Sequence, residues 1–358
     1  MAIAILVRTL ITLYEIPSTA LVAEITDDYD ERTSALSYRY FFGWSGGALM
    51  AFFATVFLLV PTDTISNGMF NREGYSQMGL VASAVIFIVI MVSSIGTHHL
   101  IPNLKLAPPK TRITIRRIYS DLWETLANKS FAALLLAALF GAIGTGLAAG
   151  LNYYIQTFYW GFDNQQIGII AISVVLSAVL SLFISPVVSR KFGKKAGCIG
   201  VGILAFSISP LPVALRLFDL MPANGDPILF PIIAFITVID LALIITFQTL
   251  MASMIADLVE HSELRTSRRS EGVFFAAITF TRKMVQGLGV VAAGIALTVI
   301  NFPRQAVPSD MPVESVFSLG LIYAPALFCL WMIMIAFISM YGIDRSQHHE
   351  NLKALGRK

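Results

Sequence analysis

Residues 273–299 read VFFAAITFTRKMVQGLGVVAAGIALTV. A helix needs about 20 apolar residues to cross the roughly 30 Å hydrocarbon core of a bilayer, and this run is long enough. Yet Arg282 and Lys283 sit near its centre. A base at that depth costs about 2.5–3.5 kcal/mol on insertion scales and is tolerated where it lines a cavity and finds a partner. The same contradiction appears at the start of the chain, where an apolar stretch from about 3 to 25 holds Glu15.

The rest of the sequence is built from runs of the same kind. Of 358 residues, 56% are hydrophobic and 13% charged, with mean hydropathy +0.74. Soluble chains carry about 25% charge. The runs are continuous rather than alternating, which excludes a β-barrel, and backbone groups in lipid must be satisfied within the segment, which selects helices. The expectation is an all-α polytopic bundle of nine spans, at about 3–25, 38–60, 77–98, 130–155, 166–186, 197–218, 229–256, 273–299 and 317–342.

Loop charge sets an orientation. One set of connections carries Arg32, then Lys105, Lys110, Arg112, Arg116, Arg117 and Lys129, then Arg190, Lys191, Lys194 and Lys195, then Arg265, Arg268 and Arg269, with Arg345, Lys353, Arg357 and Lys358 in the tail. The alternate loops hold only Arg72 and Arg304. Basic loops stay cytoplasmic, so the C-terminus is expected inside and the N-terminus of a nine-span chain outside. No basic n-region or small-residue cleavage site precedes the first span, so a signal peptide is not expected. Residues 99–129 run through Pro102, Pro108 and Pro109 into an amphipathic stretch from Ile115 to Leu126, read as a linker helix on the membrane face. Three spans precede this linker and six follow. A six-plus-six transporter lacking its first three spans would have this layout. The expected division is 1–98, a partial N-terminal bundle; 99–129, a cytoplasmic linker; 130–342, a six-helix C-terminal bundle; and 343–358, a cytoplasmic tail.

Net charge is +3, a loop bias with no nucleic-acid signature. Cys198 and Cys329 lie in apolar segments and read as core residues. His98, His99, His261, His348 and His349 show no metal-ligand spacing, and no nucleophile triad, P-loop or dinucleotide glycine motif is present. Transport is expected, not enzymatic chemistry, with no cofactor beyond a coupling ion.

Glu15 lies eleven residues before Thr26, and Lys283 lies eleven past Gly272. At 1.5 Å per residue both are about 16 Å deep, measured from the same side. An ion pair between them offsets part of each insertion cost. It serves either packing or a substrate and coupling-ion site. Thr12 is three residues before Glu15 and shares its face. A hydroxyl and a carboxylate so placed suit Na⁺, or a proton on Glu15. Arg282 points about 100° away from Lys283 and is expected to reach another carboxylate or to snorkel. Asp240 is a third intramembrane acid, open to a relay or a packing role. Arg39 reads as a cavity closure or a positive-inside anchor. The acidic and basic residues around Arg32 form a solvated loop or lock one state of a rocking transporter. Gly141, Gly144, Gly146, Gly150, Gly287, Gly289 and Gly294 allow close helix packing.

Two longer stretches carry a resemblance. Residues 12–43, TLYEIPSTALVAEITDDYDERTSALSYRYFFG, are similar to the fourth helix, following loop and fifth helix of the glycoside–pentoside–hexuronide:cation symporters, a major-facilitator family. Residues 257–283, DLVEHSELRTSRRSEGVFFAAITFTRK, resemble that family's tenth-helix end, loop and eleventh helix, and the spacing of Asp257, Arg269, Glu271 and Lys283 runs without a gap. The resemblance implies a cation-coupled symporter, using Na⁺ or H⁺, that works by alternating access on a sugar-like solute in the cell membrane. It implies that Glu15 and Thr12 bind the cation and that Lys283, Arg39, Thr19, Gln248 and Thr279 serve the substrate or its coupling. Arg32, Asp257, Arg269 and Glu271 would be gating or structural charges. Thr19 and Gln248 stand where the family's sugar permease has aromatic rings, and the second-helix acids of its cation site have no counterpart, because three helices are expected in front of Met1. The alternatives are a lysolipid-type symporter of the same superfamily and a non-transporting membrane protein or subunit.

Overall fold

Backbone groups within apolar runs have only their own segment to bond to, and the chain answers with helices. The computed structural model describes residues 2–26, 28–60, 62, 71–103, 129–266, 271–303 and 311–342. The helices are α1 (Ala2–Ala20), the short α2 (Val22–Ile25), α3 (Tyr29–Phe53), α4 (Arg72–Thr97), α5 (Lys129–Tyr154), α6 (Asn164–Phe192), α7 (Lys194–Ile208), α8 (Leu211–Leu217), α9 (Leu229–Thr266), α10 (Glu271–Val299) and α11 (Val313–Ser339). Among the described residues, eight helical segments are long and apolar enough to cross a membrane, from Tyr29–Leu58 to Val313–Ser339. The 19-residue α1 stands in front of them.

Several expected boundaries move, each for a local reason. The second span begins at Tyr29, not near 38, because the Asp28 side chain caps the helix by accepting from the backbone N–H groups of Asp30 and Glu31. Hydropathy misses such a charged first turn. The fifth span begins at Asn164, where Asp163 and Gln166 form a reciprocal capping box. The sixth is two helices, α7 and α8, parted at Ser209 and Pro210. The seventh runs on past the apolar segment to Thr266. Residues 104–128, with the expected amphipathic linker helix, lie outside the described residues, as do Arg269 and the tail from 343.

The main core is drawn from α5 to α11. Phe131, Leu134, Leu151, Tyr159, Leu250 and Leu327 are among its buried members. The first helices attach to this core rather than complete it. Val22 and Leu36 close over Ala252 of α9 in a small separate cluster. The buried residues of α3 are Tyr29, Arg32, Thr33, Leu36, Ser37 and, further along, Ser45. So α3 is most deeply buried over its first two turns and more exposed along the rest. Leu80, Phe87, Val92 and Ile95 of α4 are exposed, as a lipid-facing helix requires.

The position of α10 is fixed by α5. A Cβ on Gly146 would collide with the Gln286 carbonyl oxygen, and one on Gly289 with the Ile143 carbonyl oxygen. The two backbones therefore cross glycine to glycine. Gly150 similarly faces Ala293, and Gly141 and Gly144 face Met334 and Trp331 of α11. Gly287 and Gly294 have nothing within 4 Å, so close packing is not their role. The crossing at Gly289 lies six residues beyond Lys283 and sets where that lysine enters the bundle. Gly289→Val should destabilise the protein by at least the about 1–3 kcal/mol of an overpacked core, read as a lowered unfolding temperature in detergent. Gly287→Ala should stay within about 0.5 kcal/mol of the parent.

Candidate transport site

α1 and α10 lie side by side, and their mid-depth charges meet. Lys283 Nζ donates to Glu15 Oε2 at 2.5 Å and to Thr12 Oγ1 at 3.1 Å. Glu15 and Thr12 present adjacent oxygens because they are three residues apart on one helical face. Arg282 Nη2 reaches Glu15 Oε1 at 3.3 Å. The expectation that Arg282 would leave this carboxylate is corrected: although neighbouring side chains diverge by about 100°, the long arm of Arg282 returns to the same group. One carboxylate thus holds two cations. The Glu15 and Lys283 side chains are 25% and 28% exposed and Arg282 is 50% exposed, so the pair is only partly buried and is not sealed in a core.

α3 supplies the next wall. Arg39 lies ten residues along α3, about 15 Å from its start. It donates through Nη1 to the Ser18 hydroxyl at 2.8 Å and the Ser18 carbonyl at 3.3 Å, and through Nη2 to Thr19 Oγ1 at 2.6 Å. Thr19 in turn donates to the Glu15 carbonyl at 2.7 Å. Pro17 leaves α1 without one backbone donor, and these side-chain bonds brace the same turn. The Tyr40 hydroxyl lies within the field of Arg282, Arg39 and Glu15. One turn further along, Trp44 Nε1 donates to Gln248 Oε1 of α9 at 3.3 Å. Gln248 thus stands beside an aromatic ring contributed by a different helix. Thr279 is half-buried one turn before Lys283.

A second cluster closes one end of the bundle, the end that carries the basic loops. Arg32 Nη1 meets Asp257 Oδ1 at 3.1 Å, and Lys194 Nζ reaches Oδ1 and Oδ2 of Asp257 at 2.8 and 2.7 Å. All three side chains are at most 2% exposed. Arg32 Nε also donates to the Thr26 carbonyl at 2.9 Å. The Tyr29 ring covers Lys194 Nζ at 3.7 Å, and its hydroxyl accepts from the Lys194 backbone N–H at 2.7 Å. One turn inward, Thr33 Oγ1 bonds the hydroxyls of Ser189 and Ser253, each at 3.1 Å. These bonds tie α3 to α6, α7 and α9.

The profile of a family described as MFS/sugar transport protein matches residues 1–345. The chain belongs to that family. It is similar to the uncharacterized symporter YjmB of Bacillus subtilis (strain 168), 24% identical over 345 residues, covering 96% of this chain and 69% of that protein. It is also similar to the putative 2,3-dihydroxypropane-1-sulfonate exporter of Escherichia coli (strain K12), 26% identical over 322 residues, 86% of this chain and 62% of that one. The sodium-dependent lysophosphatidylcholine symporter 1 of Gallus gallus is 22% identical over 376 residues, 97% of this chain and 68% of that one. The chain spans about two thirds of the length of these relatives. A member of this major-facilitator family is an integral membrane transport protein, not an enzyme, in keeping with the helices described above.

Within this major-facilitator chain, the residues expected from the sequence divide in three. Glu15, Thr12 and Lys283 converge, with Arg39 and Thr19 beside them. Arg32 and Asp257 meet at the basic end. Asp240 joins neither group: it is buried in α9 near Ser209, and its Oδ1 has no hydrogen-bond partner among the described residues. Arg269 is outside the described residues, and of Glu271 only the backbone, at the start of α10, is described. Sequence reasoning missed Lys194 and Tyr29. The RKFGKK run at 190–195 signalled a basic loop, but not that its fifth residue turns inward while its neighbours stay solvated. Replacing Asp257 by alanine removes the carboxylate that Arg32 and Lys194 share. That change should cost about 3–5 kcal/mol, measured as lost thermal stability in detergent. Lys191→Ala, in the same basic run but exposed, should leave stability within about 0.5 kcal/mol.

Proposed function

We propose that this chain is a cation-coupled symporter of a small hydroxylated solute, with Glu15 as the group that takes the coupling Na⁺ or H⁺. The carrying observation is where Lys283 sits. Its ammonium occupies the point bounded by Thr12 Oγ1 and Glu15 Oε2, the two oxygens a hard cation would use. Lys283 then acts as a resident counter-ion that the coupling cation displaces. With no cation bound, the lysine keeps Glu15 neutralised and tethers α10 to α1. With the cation in place, the tether is released and the lysine is free to meet the solute.

Alternating access follows from the second cluster. In the described state Arg32, Lys194 and Asp257 hold α3 against α7 and α9 at one end. Positive loops face the cytoplasm, so this end is the cytoplasmic one in the proposed orientation and the C-terminus lies inside. Opening that side separates these charges, which is costly unless solute and cation together favour the other state. The wall around Arg39, Thr19, Trp44 and Gln248 combines hydroxyls, an amide and an aromatic face, the mixture that suits a sugar-like solute.

Uptake driven by a Na⁺ or proton gradient in proteoliposomes tests the reading. Coupling free energies of about 1–3 kcal/mol correspond to about 5–150-fold effects. Glu15→Gln and Lys283→Ala should each lower gradient-stimulated uptake by a factor in that range while the protein remains folded in the membrane. Undiminished gradient-driven uptake by Glu15→Gln would contradict the assignment.

A further inference from the structure

Two acids are buried among the described residues, Asp257 and Asp240. Asp257 holds two cationic side chains. Asp240 holds none among the described residues, and its Oδ1 has no hydrogen-bond partner there. The Ser209 hydroxyl bonds the Asp240 carboxylate from the end of α7, and Tyr323 of α11 lies within its field. Asp240 is eleven residues along α9 and Tyr323 ten along α11, so both are about 15–16 Å in from the end opposite the basic loops. α7, α9 and α11 all contribute to the main core. Asp240 is only 8% exposed, and its enclosure is made by helices of this core. α7 ends at Ile208 with Ser209 as its C-cap residue, and Pro210 has no N–H to give the Phe206 carbonyl. A helix C-terminus carries unsatisfied carbonyls and a partial negative charge. A carboxylate set against it is unfavourable, and Pro210 and Pro212 leave the start of α8 few N–H groups to offset it.

We propose that Asp240, Ser209, Tyr323 and the broken backbone at Ser209–Pro210 form a Na⁺-binding site of their own, separate from Glu15. A buried carboxylate needs a counter-charge. Hard cations take oxygen ligands, and interrupted helices hold Na⁺ inside membrane bundles through freed carbonyls and helix C-terminal ends. Carboxylate, hydroxyls and the end of α7 supply oxygens of that kind in one enclosure. One carboxylate balances one monovalent ion. Calcium sites gather several acids, and no metal-binding group of three or more Asp, Glu, His or Cys residues occurs among the described residues. The ion neutralises Asp240, bonds Oδ1 and fastens the α7–α8 break to α9 and α11. It holds the core rigid while contacts at Glu15 exchange. The site stands apart from the coupling role of Glu15 and from the identity of the solute.

The test is thermal unfolding of the purified full chain in detergent, in choline chloride and in NaCl at the same ionic strength. It is run on the parent and on Glu15→Gln, which lacks the carboxylate proposed to couple transport, so a Na⁺ effect that remains there arises elsewhere. Na⁺ should raise the unfolding temperature of Glu15→Gln by about 2 °C or more, as a ligand bound only by the folded state does. The gain should vanish when Asp240→Asn is added to Glu15→Gln, and shrink when Ser209→Ala or Tyr323→Phe is added instead. In choline chloride Asp240→Asn should unfold no earlier than the parent, because a neutral amide replaces an unpaired carboxylate. An equal Na⁺ gain with and without Asp240→Asn, or a gain produced by lowered pH and not by Na⁺, would overturn the site. A Na⁺ gain seen in the parent and absent from Glu15→Gln would place the ion at Glu15 alone, overturning this inference and leaving the symporter reading standing.

Discussion

Everything about this bundle turns on one carboxylate held in an apolar setting by a lysine from the far end of the chain. Glu15 and Lys283 are separated by 268 positions and meet at 2.5 Å. Either alone at mid-depth would cost a few kcal/mol. Together they bind α1 to α10, but only loosely in the structural sense, because about a quarter of each side chain remains open. A sealed pair would be a rivet. A half-open pair beside a hydroxyl, two guanidiniums and a phenol is a place where charges can be exchanged.

The surrounding architecture serves to aim that pair. The glycine crossing of Gly146 and Gly289 brings α10 into backbone contact with α5 and so fixes the level at which Lys283 enters. The bonds from Arg39 to Ser18 and Thr19 fix α3 against the proline-bearing turn of α1. The Arg32–Asp257–Lys194 cluster then clamps one end of α3 to α7 and α9. Rigid packing along α5 and α10, and breakable ionic contacts at α1 and α3, give a bundle with one firm half and one half attached by charges. Buried ion pairs contribute little net stability compared with apolar packing and are more readily rearranged. Such contacts are consistent with the alternating access proposed for this chain.

Much of this was legible in the sequence, and the reasons are physical. Apolar runs of span length have one structural outcome in lipid, so the helices could be read directly. The common level of Glu15 and Lys283 followed from depth, because two helices crossing one slab share a coordinate that can be counted from their ends; that α1 lies beside α10 came from the structure. The placement of Thr12 followed from helical periodicity. What could not be read depended on reach and on partners far away in sequence. Arg282 departs from Lys283 by 100° at the backbone, yet its long side chain bends back to Glu15. Lys194 is one of four basic residues in RKFGKK, and only packing against Tyr29 and Asp257 distinguishes it from its solvated neighbours. The early start of α3 at Tyr29 was hidden because a helix turn capped by Asp28 carries no hydropathy signal. Asp240 was visible as an intramembrane acid, but nothing in its local sequence said that it faces Ser209 rather than the site.

The central claim is that Lys283 and the coupling cation compete for Glu15. A double-mutant cycle on these two residues, read by unfolding in detergent with and without saturating Na⁺, and again at a pH low enough to protonate the carboxylate, addresses it directly. The account predicts a favourable Glu15–Lys283 interaction energy in the cation-free protein that shrinks toward zero when the coupling ion is present. An interaction energy that stays the same under every cation condition would contradict it and would make the pair a structural tie.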